Sequence, residues 1–450
     1  MKYLRIFFKI LLGLVGFILL FLAVSVAPVN DTPYRETDYY TQTRQRLAQL
    51  AAPPRPQTGL RAGWAKVNLT PSFTTPTGGY GARKGEHWKI VSDSIYVRTL
   101  LLTNGSTKVA IVALDLLITP PTVTEQLKKR LPEIGFRWEN LFTGAIHSHN
   151  SLGGWAPGLA GELFAGEFDQ RVVDHITNAI LQSITLAQRQ LAPAEVGFSQ
   201  VPAADLVYNR MNKEGRVDGD IRLLKLRKKT GESALLCTYG GHATIFRALA
   251  DAKYLSRDYP GELVDELEKE SGSFVAFMAG SVGSTGSKTA ENPDIFTTIH
   301  TYADSLENRI EPALARLTTK PDSTLELLTL PLELREPHAR VIDGWRVRPW
   351  LFRAAYGDYP SDLKALRIGQ TVLLGTPCDF SGELVADLES QARQKGLNLM
   401  VTSFNGGYIG YITPDQYYHK QAYETMTMNW FGPENGAYFV ELMKGLLARL

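Results

Sequence analysis

Two histidines spaced i, i+2, His147 and His149, stand at the end of the apolar run Leu141 to Ile146 and open a glycine-rich loop that reaches Trp155. Residues two apart on extended backbone face the same side. Both imidazoles could therefore enter one pocket at the carboxyl end of a strand, where open α/β sheets bind their ligands. Two loop histidines with no shared role would have the same spacing. Four other apolar strands end in the same manner, in a turn carrying a group able to ligate or react. Their ends lie at His242, at Ser284, at Asp379, and at Tyr408 with Tyr411. Five such ends point to one composite site. Two neutral imidazoles and a carboxylate, with one position left for water, form a common catalytic zinc set. His147, His242 and Asp379 could supply it, with Tyr411 adding an oxygen. Residue by residue, other roles stay open: His242 as a hydrogen-bonded core histidine, and Asp379 as the N-cap of a helix near Gly382.

The elements that would carry these groups follow from hydrophobic periodicity and turn residues. Trp64 to Leu69 reads as the first strand of the body, and Thr70 to Glu86 as a long loop holding Gly78-Gly79-Tyr80-Gly81. Ser94 to Thr103 and Thr107 to Leu114 flank Asn104-Gly105, a hairpin turn. A helix from Pro121 to Leu131 precedes the His147 strand, and Phe168 to Leu191 has apolar residues at helical spacing. Ile221 to Arg227, Ala234 to Tyr239, the helix Gly261 to Glu270 and the strand Phe274 to Met278 form a second βαβ-like series. A helix from Pro293 to Leu317 and a strand from Thr324 to Leu334 follow. Next come a hairpin from Ala365 to Leu374, a helix from Gly382 to Gln394, a strand from Leu397 to Thr402 and a last helix from Ala437 to Leu450. The fold class expected is α/β, one large mixed-sheet domain over residues 63–450.

Ahead of the body, Ile10 to Ala27 is uncharged and follows Lys2, Arg5 and Lys9. At ~1.5 Å per residue, such a run spans a bilayer core. The expected layout is a basic cytoplasmic segment at 1–9 and a transmembrane anchor, or uncleaved signal, at 10–28. A linker at 29–62 follows, with a short helix from Thr37 or Asp38 to Leu50 stopped by Pro53 and Pro54. Basic residues before the span put the N-terminus in the cytoplasm and the body on the extracytoplasmic side. With those cations near the start and no acid before Asp31, the rest of this +2 chain is close to neutral. That excludes the electrostatic footprint of a nucleic-acid binder. Two cysteines, Cys237 and Cys378, are no disulfide framework and read as buried thiols.

Longer stretches resemble the catalytic domain of neutral, non-lysosomal ceramidases, from about Gly63 to Tyr438. The resemblance runs through Gly79-Tyr80-Gly81, Ala145-Ile146-His147-Ser148-His149-Asn150-Ser151, Asn209-Arg210, Gly241-His242-Ala243-Thr244 and Pro377-Cys378-Asp379-Phe380. Its most specific part is Tyr408-Ile409-Gly410-Tyr411-Ile412-Thr413-Pro414-Asp415-Gln416-Tyr417 with Gln421-Ala422-Tyr423-Glu424. The resemblance implies Zn2+ held by His147, His242, Asp379 (in place of Glu) and Tyr411, with His149, Arg210 and Tyr423 lining the reacting centre. It implies a hydrolase that cleaves the amide of an N-acyl lipid, or another small acyl amide, with metal-activated water, and the N-terminal span would anchor that hydrolase to the membrane. Where the family carries a catalytic serine, ungapped alignment puts Gly286, so Ser284 or Ser287 would have to replace it. That departure leaves two alternatives: an esterase or other zinc hydrolase on the same fold, or a catalytically impaired binding homologue.

Overall fold

Short strands bounded by glycine turns and separated by amphipathic helices can bury their apolar faces only by stacking in layers. The computed structural model, which describes residues 2–290 and 292–450, does so with two sheets. Twelve strands build them: β1 (Arg61–Asn68), β2 (Tyr96–Thr103), β3 (Lys108–Leu114), β4 (Leu141–Ala145), β5 (Ala192–Pro202), β6 (Asp220–Lys228), β7 (Ser233–Tyr239), β8 (Phe274–Ala279), β9 (Leu325–Pro331), β10 (Asp362–Ile368), β11 (Thr371–Gly375) and β12 (Asn398–Thr402). The larger sheet has the order β8-β7-β6-β5-β1-β2-β3-β4 and the smaller one β9-β10-β11-β12. Leucine, isoleucine and methionine side chains from both sheets, among them Leu224, Leu236, Met278, Leu366 and Met400, form the core between them. The Gln170–Arg189, Asp258–Ser271 and Ile295–Arg316 helices cover the outside of the larger sheet, and the Val385–Gln394 and Asn435–Arg449 helices cover the smaller one.

Most neighbouring strands are antiparallel. Within these two sheets the three parallel pairs are β3 with β4, β7 with β8, and β11 with β12. Each is joined by a crossover helix, as parallel pairing requires. The two ends of the larger sheet also meet: a Cβ on Gly144 of β4 would lie 2.7 Å from the Met278 sulfur of β8. Glycine at 144 therefore lets edge strand reach edge strand.

Element positions expected from the sequence recur within a few residues, including the β2–β3 hairpin, where Gly105 has φ 86°. β6 and β7 form an antiparallel hairpin about the turn that the sequence places at Lys228-Lys229-Thr230-Gly231, and β7, the Asp258–Ser271 helix and β8 form the βαβ unit. Strand β5, the Leu159–Ala165 helix and the Pro349–Tyr356 helix have no counterpart in the sequence reading. β5 holds two prolines at its ends, Pro193 and Pro202, and a glycine at 197, residues that read as loop.

The N-terminal helix, Lys2–Ser25, is long and apolar enough to cross a membrane and is exposed from Tyr3 to Val24. Met1, the first residue of the basic segment, lies outside the described residues. The 29–62 segment does not run free as a stalk. Its expected helix forms (Asp38–Gln49), and Leu47 and Tyr34 are buried against Tyr438 and Leu446. The Tyr34 hydroxyl donates to Glu441 at 2.8 Å and that of Tyr40 at 2.7 Å. Tyrosines on an otherwise polar helix supply the apolar face that makes it dock. Cys237 and Cys378 are free, buried thiols.

Candidate metal centre and its pocket

Every residue singled out at a strand end sits at the carboxyl end of a strand in one of the three parallel pairs, and backbone hydrogen bonds tie these ends together. His147 N donates to Leu116 O beyond β3, and Ser403 N beyond β12 to Ala279 O of β8. Gly283 N donates to Phe380 O, and Asp379 N to Gly410 O. Asp379 pairs with Tyr411 in a short parallel ladder. Glycine at 283 is required by this approach, since a Cβ there would lie 2.4 Å from the Asp379 carbonyl oxygen. Three of the turns also hold a non-glycine residue in the left-handed region: His147 (φ 67°), Ser284 (φ 64°) and Phe404 (φ 65°). Such backbone costs of order 1–3 kcal/mol per residue and clusters at functional sites.

His147 Nδ1 lies 2.7 Å from the carbonyl of Leu117 and His242 Nδ1 lies 3.4 Å from that of Val282. A carbonyl only accepts, so both Nδ1 atoms carry the proton and both Nε2 atoms present lone pairs. Those Nε2 atoms face each other at 2.9 Å. His149 Nε2 and Asp379 Oδ1 each lie 3.4 Å from His147 Nε2. Asp379 Oδ1 is buried and has no hydrogen-bond partner. Donors held ~2.0–2.1 Å from one tetrahedral ion stand roughly 3.3 Å apart, so these spacings fit a shared cation. Protons do not replace one. Burial takes the His147 imidazole down to about 3, and burial together with His147 pushes His149 and His242 well below the usual histidine range. Three neutral imidazoles, those of His147 and His242 buried and that of His149 partly so, thus converge with an orphaned carboxylate oxygen, and the triad could bind a metal.

A second layer holds these groups. The Tyr408 hydroxyl donates to Asp379 Oδ2 at 2.7 Å, so this carboxylate is oriented by a tyrosine and does not cap a helix. Burial raises the Asp379 carboxyl to about 7, opposed by the Tyr408 bond and Arg210. His147 stacks on Phe404 at 4.3 Å, and Tyr80 lies against His149 at 4.6 Å. Arg83 braces the His149 loop, donating to His149 O at 2.6 Å and to Asn150 Oδ1 at 2.8 Å. Arg210 Nη2 donates to the Tyr411 hydroxyl at 3.3 Å, and its Nε pairs with Glu424 at 3.0 Å. Burial opposes the Arg210 charge, but Tyr411 and Glu424 hold its pKa above the usual value. Sequence reasoning missed Tyr408's role, Glu424 and Arg83, although each lies within or beside a motif already singled out.

The two serines differ. Ser287 Oγ donates to the carbonyl of His242 at 2.9 Å and so braces that histidine's loop. Ser284 Oγ is buried without a partner, while its carbonyl accepts from Arg210 N at 2.8 Å. Gly286 pairs with Tyr208 across a two-stranded ladder, and a Cβ there would lie 2.5 Å from the Tyr208 ring. A serine at 286 needs that ring to move.

His147, His149, Asp379 and Tyr411 line one end of an apolar pocket walled by Trp155, Phe164, Phe352, Tyr356 and Trp430. Tyr423, edge-on to Tyr411 with ring centroids 6.0 Å apart, also lines it and is half exposed. The structure thus brings together His147, His149, His242, Arg210, Asp379, Tyr411 and Tyr423, with Ser284 bonded through its backbone to Arg210.

Comparison with known proteins bears on this arrangement. Residues 63–272 match the family described as neutral/alkaline non-lysosomal ceramidase, N-terminal. Among solved structures, neutral ceramidase from Pseudomonas aeruginosa is similar at TM-score 0.73 and 18% identity, covering 88% of this chain and 75% of that one. A ceramidase complexed with C2 is similar at TM-score 0.74 and 16% identity, covering 88% of this chain and 76% of that one. At such identities the likeness is one of fold.

Proposed function

We propose, from the match of residues 63–272 to the neutral/alkaline non-lysosomal ceramidase family, that this chain is a zinc-dependent amidohydrolase cleaving the amide of an N-acyl lipid of ceramide type. The observation that carries the reading is the meeting of His147, His149, His242 and Asp379 donor atoms at one end of an apolar pocket. His147, His242, Asp379 and Tyr411 would hold the ion, with His149 either a further imidazole donor or a proton carrier beside it. Zinc suits nitrogen and carboxylate donors at these spacings. When bound, it supplies Lewis acidity and a water of lowered pKa.

This chain's side chains account for the rest of an amide hydrolysis. Arg210, kept cationic beside Glu424 and Tyr411, would offset negative charge developing on the acyl oxygen. His149, neutral and adjacent to His147, would take a proton from the attacking water and pass it to the leaving nitrogen, returning to its neutral form. Tyr423 would orient the substrate at the mouth of the site, and the unpartnered Ser284 hydroxyl would donate to the same oxyanion. The aromatic walls would take the acyl chain and exclude water. The Lys2–Ser25 helix would anchor the enzyme as a single-pass protein, its body outside the cytoplasmic face, close to a poorly soluble substrate.

Metal content of purified full-length protein and of His147→Ala, measured beside a screen of N-acyl amides, tests the proposal. Zinc retained by the wild type and lost in the variant, with amide turnover only in the former, is the expected result. A chain that holds no zinc, or a zinc-loaded chain inert on all amides, overturns it. Gly286 against Tyr208 favours a second reading, an esterase or an impaired binding homologue. Amide and ester turnover compared in one preparation separates the three.

A further inference from the structure

We infer that the body lies flat on the membrane through an apolar collar at Val341, Ile342, Trp345 and Trp350, so that the pocket opens beside the lipid leaflet. The inference rests on reading the Lys2–Ser25 helix as an anchor in that membrane. The helix does not lead into a loose tether. Its last residues continue into the strand Val26–Pro28, which pairs antiparallel with Trp345–Val347 in the register Val26 with Val347 and Pro28 with Trp345. The Trp345–Val347 strand pairs with Arg340–Ile342 on its other side.

Side chains from this sheet and the helix after it cap the anchor's carboxyl end, which has no basic residue of its own. Arg348 Nη2 donates to Ala23 O at 3.1 Å and Trp350 Nε1 to Val24 O at 2.8 Å. Arg348 N donates to Ser25 O at 2.8 Å and Arg346 Nε to Pro28 O at 3.3 Å. Helix C-terminal carbonyls favour such cations and donors. The consequence is geometric: the body's tilt relative to the span is set by a sheet and a cap.

Where the anchor leaves the bilayer, the surface is apolar. Val341 is 51% exposed, Ile342 59%, Trp345 46% and Trp350 53%. Four large apolar side chains around one helix exit form a patch that needs a partner. Tryptophans and arginines together suit the headgroup level, the tryptophans by their amphipathic rings and Arg346 and Arg348 by attraction to anionic lipid. The collar also adjoins the pocket. Trp350 shares the Pro349–Tyr356 helix with Phe352 and Tyr356, which form part of the pocket wall. The Leu159–Ala165 helix beside it, with Phe164 6.5 Å from Tyr356, exposes Leu159 and Leu163 on the same rim. A lipid chain could therefore pass from the leaflet into the pocket along an apolar path.

The test uses full-length protein in phosphatidylcholine vesicles containing phosphatidylglycerol, with and without brominated acyl chains. Tryptophan emission is expected to be quenched by the brominated lipid, with the quenching largely lost in Trp345→Phe/Trp350→Phe. The variant Val341→Asp/Ile342→Asp is expected to keep wild-type turnover of a short soluble N-acyl amide. Its turnover of a vesicle-embedded long-chain amide should fall about tenfold, because the charges oppose interfacial seating. Protein that resists alkaline extraction from the vesicles yet shows no collar-dependent quenching overturns the collar and leaves the anchor standing. Protein that alkali strips from the vesicles overturns the anchor, and the collar with it. Zinc content and soluble-substrate turnover report separately on the catalytic reading.

Discussion

Replacing Tyr408 by phenylalanine removes one oxygen and tests how the carboxylate donor is held. The hydroxyl donates to Asp379 Oδ2 at 2.7 Å, and Asp379 is fully buried with its other oxygen unpartnered. A hydrogen bond to a charged group contributes about 1.5–3 kcal/mol net. At about 1.4 kcal/mol per tenfold, the variant should bind zinc roughly 10- to 150-fold more weakly. Removing an outer partner of a ligand commonly costs roughly 10- to 100-fold, the same range. The ring itself keeps its contacts, edge-on to Trp430 at 5.4 Å and tilted against Phe404 at 6.2 Å, so the metal-free variant should stay folded, its melt lowered by no more than the loss of that one hydrogen bond. Zinc affinity measured by competition with a chelator at fixed pH, with thermal melts of the metal-free proteins as control, gives the result. An unchanged zinc Kd in a folded variant would refute the placing of Asp379 among the donors.

Three other outcomes follow from the geometry. Gly79→Ala would put a Cβ 2.5 Å from His149 Nδ1, at a residue with φ +110°, and turnover should fall about 100-fold, as small displacements of reacting groups do; wild-type kinetics would contradict this. Ser284→Ala should lower amide turnover by roughly 100- to 1000-fold, the range for losing an oxyanion donor, at unchanged zinc content, whereas Ser287→Ala should loosen the His242 loop and lower zinc content first. Lys364 is wholly buried, its ammonium bonded to the carbonyls of Trp138 and Leu141, and burial lowers its pKa to about 8. The unfolded chain binds the proton more tightly, with a pKa near 10.4, so stability should rise with pH between about 8 and 10.4, by up to ~3 kcal/mol. Urea unfolding across that window, compared with Lys364→Met, should show the rise only in the wild type.

Much of the fold was legible because its signals are local. Alternation, helical spacing and turns such as Asn104-Gly105 mark an element from a dozen residues, and most strands lie within a residue or two of where those patterns put them. What misled was equally local. β5 reads as loop because Pro193, Gly197 and Pro202 punctuate it, yet it sits between β6 and β1 and supplies a full ladder to β6. The 29–62 segment reads as a polar tether because its mean composition hides Tyr34, Tyr40 and Leu47, the side chains that dock it.

The sequence by itself determined which chemical groups stand at the ends of apolar strands: imidazoles at 147, 149 and 242, a carboxylate at 379, phenols at 408 and 411. Those identities limit the chemistry, because few side chains ligate a metal and fewer do so uncharged. Only the tertiary structure decided which of them meet. His147 and His242 are 95 residues apart in the chain, and no periodicity encodes their 2.9 Å approach. It comes from three parallel strand pairs ending on one side, a sheet whose edges touch through Gly144 and Met278, and a second sheet packed across them. The fold also assigned Tyr408 to Asp379 and Glu424 to Arg210, since a side chain's partner is set by distances that arise when layers pack, not by its neighbours in sequence.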